Sequence, residues 1–313
     1  MSVSHLLPPW AWIVIVVFAA AAQSVRNAAQ RSLVAQAGTL GATLVRFLYG
    51  LPFAALWVAL LQALPATTAP AAHFGIGYFA WLLAGAIGQI AATAFLLAAM
   101  KTRQFVVGVA FSKTEVLQVA LFSALFLGEV PGSVVLAAMV IASTGIVLLS
   151  LQRGGSVAEG GGSKLTDYRP AMYGLASGAG FAISAVGYRG ASLQVPELSP
   201  WLAGAWGVMW AQAVQSALML AWLLWRSPQT VRAVLTGWRV SLLAGLMGAM
   251  ASIGWFTAFA MQPAAQVRTL GLVEVFFSYL VSRRIFQEQA LSPRELLGLG
   301  LVMLGLIGIC LSI

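Results

Sequence analysis

The chain has 313 residues, 60% of them hydrophobic and 8% charged, with a net charge of +9 and a mean hydropathy of +0.91. Soluble domains carry roughly 45–50% apolar and about 25% charged residues, so the Lys, Arg, Asp and Glu present here cannot clothe a soluble body of this length. That excludes a soluble enzyme, a nucleic-acid binder and a disordered chain, and leaves an all-α polytopic membrane protein.

A helix that crosses a bilayer needs about 20 mostly apolar residues. Ten such runs are expected, over 10–30, 38–62, 78–100, 104–128, 132–151, 170–192, 200–225, 238–261, 265–287 and 295–313. None shows the alternation of a β-barrel strand. The first has no Lys or Arg before it, so it is read as a span rather than a cleaved signal peptide. Gly and Ser dominate 152–168, which reads as a flexible linker between 1–151 and 169–313. The single cysteine, Cys310, allows no intrachain disulfide. Both histidines, His5 and His73, fall outside the apolar runs, and no cluster has metal-ligand spacing. Neither a metal nor another cofactor is expected.

The two halves share an order of residues. Gly85 and Gly88 in the third run correspond to Gly245 and Gly248 in the eighth. Glu115 corresponds to Glu274, Glu129 to Glu288, and Gly145 to Gly305. Five spans per half is an odd number, so the second half crosses in the opposite sense. The charges agree. Basic residues follow odd-numbered runs: Arg31; Lys101 and Arg103; Arg153, Lys164 and Arg169; Arg226, Arg232 and Arg239; Arg283, Arg284 and Arg294. Loops after even-numbered runs hold only Arg189. The positive-inside rule then puts the odd loops in the cytoplasm and both termini outside. The pattern is that of two inverted five-helix repeats.

Charges inside the runs are costly, about 2.5–3.5 kcal/mol each at a helix centre. Arg46, Lys113, Glu115 and Glu274 lie deep in theirs. Arg26 and Arg268 lie nearer the ends, where a long side chain can reach the interface or a neighbouring helix. Lys113 and Glu115, two residues apart, point to different sides and are not expected to pair. Trp206 and Trp210 are four residues apart in the seventh run, on one helix face, and read as an aromatic wall or as plain packing. Small residues in runs five and ten, among them Ala138, Ala142, Gly145, Gly298, Gly300, Gly305 and Gly308, suit close helix packing.

Three segments carry a resemblance: Arg46-Phe-Leu-Tyr-Gly-Leu-Pro52, Phe126-Leu-Gly-Glu-Val-Pro131, and Gly145. With them the chain resembles the EamA-like ten-helix members of the drug/metabolite transporter superfamily. The resemblance implies 5+5 inverted repeats, a central cavity lined from both halves, and gradient-linked transport of small metabolites in the cytoplasmic (inner) membrane.

No GxxxxGK[ST] phosphate loop is present, and no constellation suits an intramembrane protease. The expected activity is therefore transport, not enzymatic. Glu115, Glu274, Lys113, Arg46, Arg268, Arg26, Trp206 and Trp210 are the candidate substrate or coupling residues. The deep charges sum to zero, or to +2 with Arg26 and Arg268 included. Either sum suits a small zwitterion or anion, such as an amino acid or organic acid, better than a cationic drug. The expected partners are that small molecule, a coupling proton and the bilayer, with the protein a monomer or homodimer.

Overall fold

Apolar side chains alone do not make a segment stable in hydrocarbon; every backbone N–H and C=O must also be bonded within the chain, and a helix does that locally. The computed structural model describes residues 8–64, 73–100, 111–155, 168–285 and 292–312, and all the regular structure among them is helical. Among the described residues, six helical segments are long and apolar enough to cross a membrane: Ala11–Ala29, Ala37–Ala63, Ile76–Leu96, Pro200–Arg226, Ser241–Met261 and Pro293–Leu311. The protein is an all-α, membrane-embedded chain.

The first two expected runs are joined. Helix α1 (Ala11–Leu48) passes through the expected loop and is kinked at Gly38, whose φ of 67° an L side chain rarely adopts. A second interruption falls at Tyr49–Gly50, after which α2 (Leu51–Ala63) restarts with Pro52 in its first turn, where the missing N–H costs no helical bond. Helix α3 (Ile76–Met100) matches the third run.

The start of the fourth run lies outside the described residues. Its remainder is helical at 111–112, turns at 113–114 and resumes as α4 (Glu115–Leu127). Gly128, at φ 68°, ends α4, and the Glu129 N–H donates to the Ser123 carbonyl at 3.1 Å. The glycine of the Phe126-Leu-Gly-Glu segment is thus a left-handed helix stop. Helix α5 (Ser133–Gly155) runs into the expected linker, and 156–167 lie outside the described residues.

In the second half, α6 (Arg169–Leu193) precedes α7 (Pro200–Arg226), which is capped by Ser199 accepting from the Leu202 N–H. A short helix not anticipated from the sequence, α8 (Pro228–Thr236), precedes α9 (Trp238–Met261). The ninth run is divided into α10 (Ala264–Leu270), a 3-10 turn over Gly271–Val273, and α11 (Glu274–Ile285). Helix α12 (Pro293–Leu311) opens on a capping box in which Ser292 and Glu295 satisfy each other's backbone N–H.

The described residues form two compact units. The first lies within Met1–Ala86, Gly187–Gln262 and Phe277–Val281. There, α9 packs against both α1 and α7. A Cβ on Gly254 would come within 2.8 Å of the Ala19 Cβ, and one on Gly204 within 2.7 Å of the Thr257 nitrogen. The second lies within Ile87–Val186, Pro263–Phe276 and Ser282–Ile313. Its largest contact is between α5 and α12. Gly145, Gly298 and Gly305 let these backbones touch, with a Cβ on Gly145 only 2.5 Å from the Gly298 oxygen and one on Gly305 2.6 Å from the Ala142 Cβ.

Candidate functional site

The candidate residues divide between the two units, with Lys113, Glu115, Arg268 and Glu274 in the second and Arg26, Arg46, Trp206 and Trp210 in the first. In the second unit, Lys113 lies in the turn before α4 and Glu115 is the first residue of that helix. Glu115 is buried, 7% exposed. Arg268, on α10, donates through Nη2 to the Glu115 Oε1 in a hydrogen-bonded ion pair. The sequence had left Arg268 to reach an interface or a neighbouring helix; it reaches α4.

The turn is closed by local bonds. Thr114 Oγ1 donates to the Phe111 carbonyl at 2.6 Å, and Gln118 Nε2 donates to Thr114 Oγ1 at 2.9 Å. Gly178 of α6 lies against it: a Cβ there would sit 3.1 Å from the Ser112 oxygen and 3.3 Å from the Glu115 nitrogen. Glu274, half-buried, starts α11 directly after the 3-10 turn. In this second unit the fourth and ninth runs are both interrupted, and in both a glutamate is the first residue after the interruption. An open groove of about 530 Å³ runs beside the first break, between α4 and α6. Its lining is apolar save for Thr114 and Gln118, so it offers no charge to a polar cargo.

In the first unit, Arg26 and Arg46 approach one glycine. A Cβ on Gly248 would lie 3.3 Å from the Arg26 Cδ and 3.6 Å from the Arg46 Cγ. Arg26 is 5% exposed and donates to the Asn27 Oδ1 through Nη2 at 2.8 Å and Nε at 3.3 Å. The Arg46 guanidinium lies 5.3 Å from the Phe47 ring centroid. Nearby on α1, Gln23 Oε1 accepts from Trp255 Nε1 at 3.0 Å.

Trp206 and Trp210 do stack along α7, with ring centroids 6.3 Å apart. They are not a bare wall. Phe74 packs 5.3 Å from Trp206, Phe79 packs 5.6 Å from Trp210, and Tyr78 lies between the two phenylalanines at 4.7 and 5.4 Å. Sequence reasoning missed these three, although the aromatic run at 74–79 opens the third span. Two residues after Trp210, Gln212 is 2% exposed, and both ends of its carboxamide are without a partner among the described residues. It lies against Gly50, whose Cβ would sit 3.0 Å from its Nε2 and Oε1.

This fold has been seen before. A solved structure described as "Crystal structure of protein" superposes with a TM-score of 0.65, covering 97% of this chain and 94% of its own, at 17% identity. At that identity the likeness concerns the fold. No family model matches the chain, and no curated protein matches it.

Proposed function

We propose that the protein is a secondary active transporter of the EamA-like, drug/metabolite type, built from ten spans in two inverted five-helix repeats. In this reading it carries a small zwitterionic or anionic metabolite, such as an amino acid or organic acid, across the cytoplasmic membrane by alternating access coupled to a proton or other gradient. It is a transporter rather than an enzyme, with both termini outside.

One observation carries the reading. The interruptions at 113–114 and 271–273 are each followed by a glutamate, Glu115 and Glu274, at the same place in the sequence correspondence of the halves. Discontinuous helices at equivalent positions of two repeats, with charged groups at the breaks, are where secondary transporters hold cargo and coupling ion. Glu115 is engaged by the Arg268 guanidinium, and in this reading one of the two glutamates carries the coupling proton while the other belongs to the substrate site. Arg26 and Arg46, which both approach Gly248, and the stacked Trp206 and Trp210 are the candidate cationic and aromatic substrate residues of the first unit. A cationic drug held by both glutamates is the second reading. The engagement of Glu115 by Arg268 weighs against it.

A thermal-shift screen of purified protein tests the substrate class. Amino acids and organic acids should raise the melting temperature, because a ligand at 100 times its Kd adds about 2.7 kcal/mol. Stabilisation by lipophilic cations alone would overturn the class.

A further inference from the structure

The end of α7, helix α8 and the start of α9 form an exposed surface that transport does not use. Trp222, Trp225 and Trp238 are 52%, 73% and 51% exposed. Arg226, Arg232 and Arg239 are exposed between and beside them. Two of the arginines rest on indole faces. The Arg226 guanidinium lies 5.8 Å from the Trp222 ring and 5.4 Å from the Trp225 ring, and that of Arg239 lies 5.5 Å from the Trp238 ring. Helix α8 is pinned from beneath: Val231 and Val234 are buried, the Val234 carbonyl accepts from the Tyr49 hydroxyl at 3.2 Å, and Gly41 lets Thr230 and Val234 close in. Its outer side presents Arg232 and Leu235.

Charge points to the occupant. The sequence has no Asp or Glu between Glu197 and Glu274, and none of the three arginines has a carboxylate partner among the described residues. Tryptophan settles at the headgroup level of a bilayer. A guanidinium held on an indole is therefore held at that level too, with its N–H edge left for a second ligand. That edge matches two oxygens of a phosphate.

We propose that this surface is a binding site for anionic phospholipid headgroups, with Arg226, Arg232 and Arg239 taking the phosphates and the three tryptophans setting the depth. The site does not depend on what is transported.

The test is native mass spectrometry of the full chain, purified in detergent and given equal amounts of phosphatidylglycerol and phosphatidylcholine. The wild type should retain phosphatidylglycerol preferentially. The triple variant Arg226→Gln, Arg232→Gln, Arg239→Gln should lose that preference by about tenfold or more, since each basic residue near an anionic surface contributes about fivefold. All three side chains are exposed, so the lipid-free melting temperature should stay put. The triple Arg→Lys variant should keep part of the preference through charge alone. The proposal is overturned if the Gln variant binds phosphatidylglycerol as the wild type does. It is equally overturned if Arg284→Gln with Arg294→Gln, charges removed elsewhere, gives the same loss, or if inorganic phosphate displaces the lipid from the wild type.

Discussion

Arg268 on α10 and Glu115 at the start of α4 form an ion pair between residues 153 positions apart. Each stands at an interrupted helix: Glu115 follows the turn at 113–114, and Arg268 precedes the 3-10 turn at Gly271–Val273. The pair therefore ties one break to the other. A carboxylate this buried is tolerated in a low-dielectric setting only with its partner in place.

Truncating the partner should be costly. Arg268→Ala leaves the Glu115 carboxylate buried and alone, and we expect a loss of about 3 kcal/mol. Adding Glu115→Gln should recover much of it, because the stranded charge is then gone. A double-mutant cycle of unfolding free energies in detergent reads the coupling directly. Additive single effects would mean that the two side chains do not depend on each other.

The contact between α5 and α12 allows a sharper comparison of two glycines. Gly145→Ala places a methyl 2.5 Å from the Gly298 oxygen and 2.8 Å from the Val302 nitrogen, so backbone must move. A destabilisation of about 1–3 kcal/mol is expected. Gly300→Ala, with nothing within 4 Å of the new methyl, should be neutral or slightly stabilising. Equal melting temperatures for the two variants would contradict the close approach.

At Gly38 the cost comes from the backbone alone. No atom lies within 4 Å of a Cβ built there, yet its φ of 67° belongs to the left-handed region. With ψ at 176° the backbone is outside the left-handed helical well that Asn tolerates, so Gly38→Ala and Gly38→Asn should each lose about 1–3 kcal/mol. A melting temperature raised by Gly38→Ala would show that the kink is not held in that conformation.

Much of this was legible in sequence, and the exceptions have physical reasons. The long apolar helices follow from run length alone, because hydrocarbon leaves no alternative to local backbone bonding. The small residues of α5 and α12 marked both as close-packing helices, since close approach in lipid selects for them, but not that each packs on the other. The interruption before Glu115 was not legible: Phe111-Ser-Lys-Thr carries no Pro or Gly, and the turn is held by Thr114 and Gln118 side chains that suit a helix equally well. Helix α8 was missed because nine residues with two buried valines make too short a pattern. The partners of Trp206 and Trp210 come from 74–79, more than 120 residues earlier, a pairing set by tertiary packing that no periodicity encodes. Arg268 reads as able to reach the interface or a neighbouring helix; that it reaches Glu115 on α4 is set by tertiary packing.

The proposed orientation rests on the charge asymmetry and is open to a direct reading. If Arg226, Arg232, Arg239 and the other basic loop residues lie inside, the C-terminus is outside. A C-terminal fusion to a reporter active only in the cytoplasm should be silent, and one active only outside should be bright. The reverse pattern would invert the topology.

A proton carrier and a substrate ligand should answer differently to neutralisation. Of Glu115→Gln and Glu274→Gln, one should abolish accumulation driven by a pH gradient while leaving exchange of substrate for substrate, and the other should weaken binding, seen as a lost thermal shift. Wild-type transport by both single variants and the double variant across pH 5.5–8.5 would return both residues to a structural role.

Alternating access itself is tested most directly by counterflow. Purified protein is reconstituted into liposomes loaded with an excess of the metabolite that stabilises it best, and the labelled metabolite is added outside at trace concentration. The account predicts transient uphill accumulation of label, saturable in the external metabolite and absent from empty liposomes. Entry that only equilibrates, rises linearly with concentration and is indifferent to the internal metabolite would contradict it.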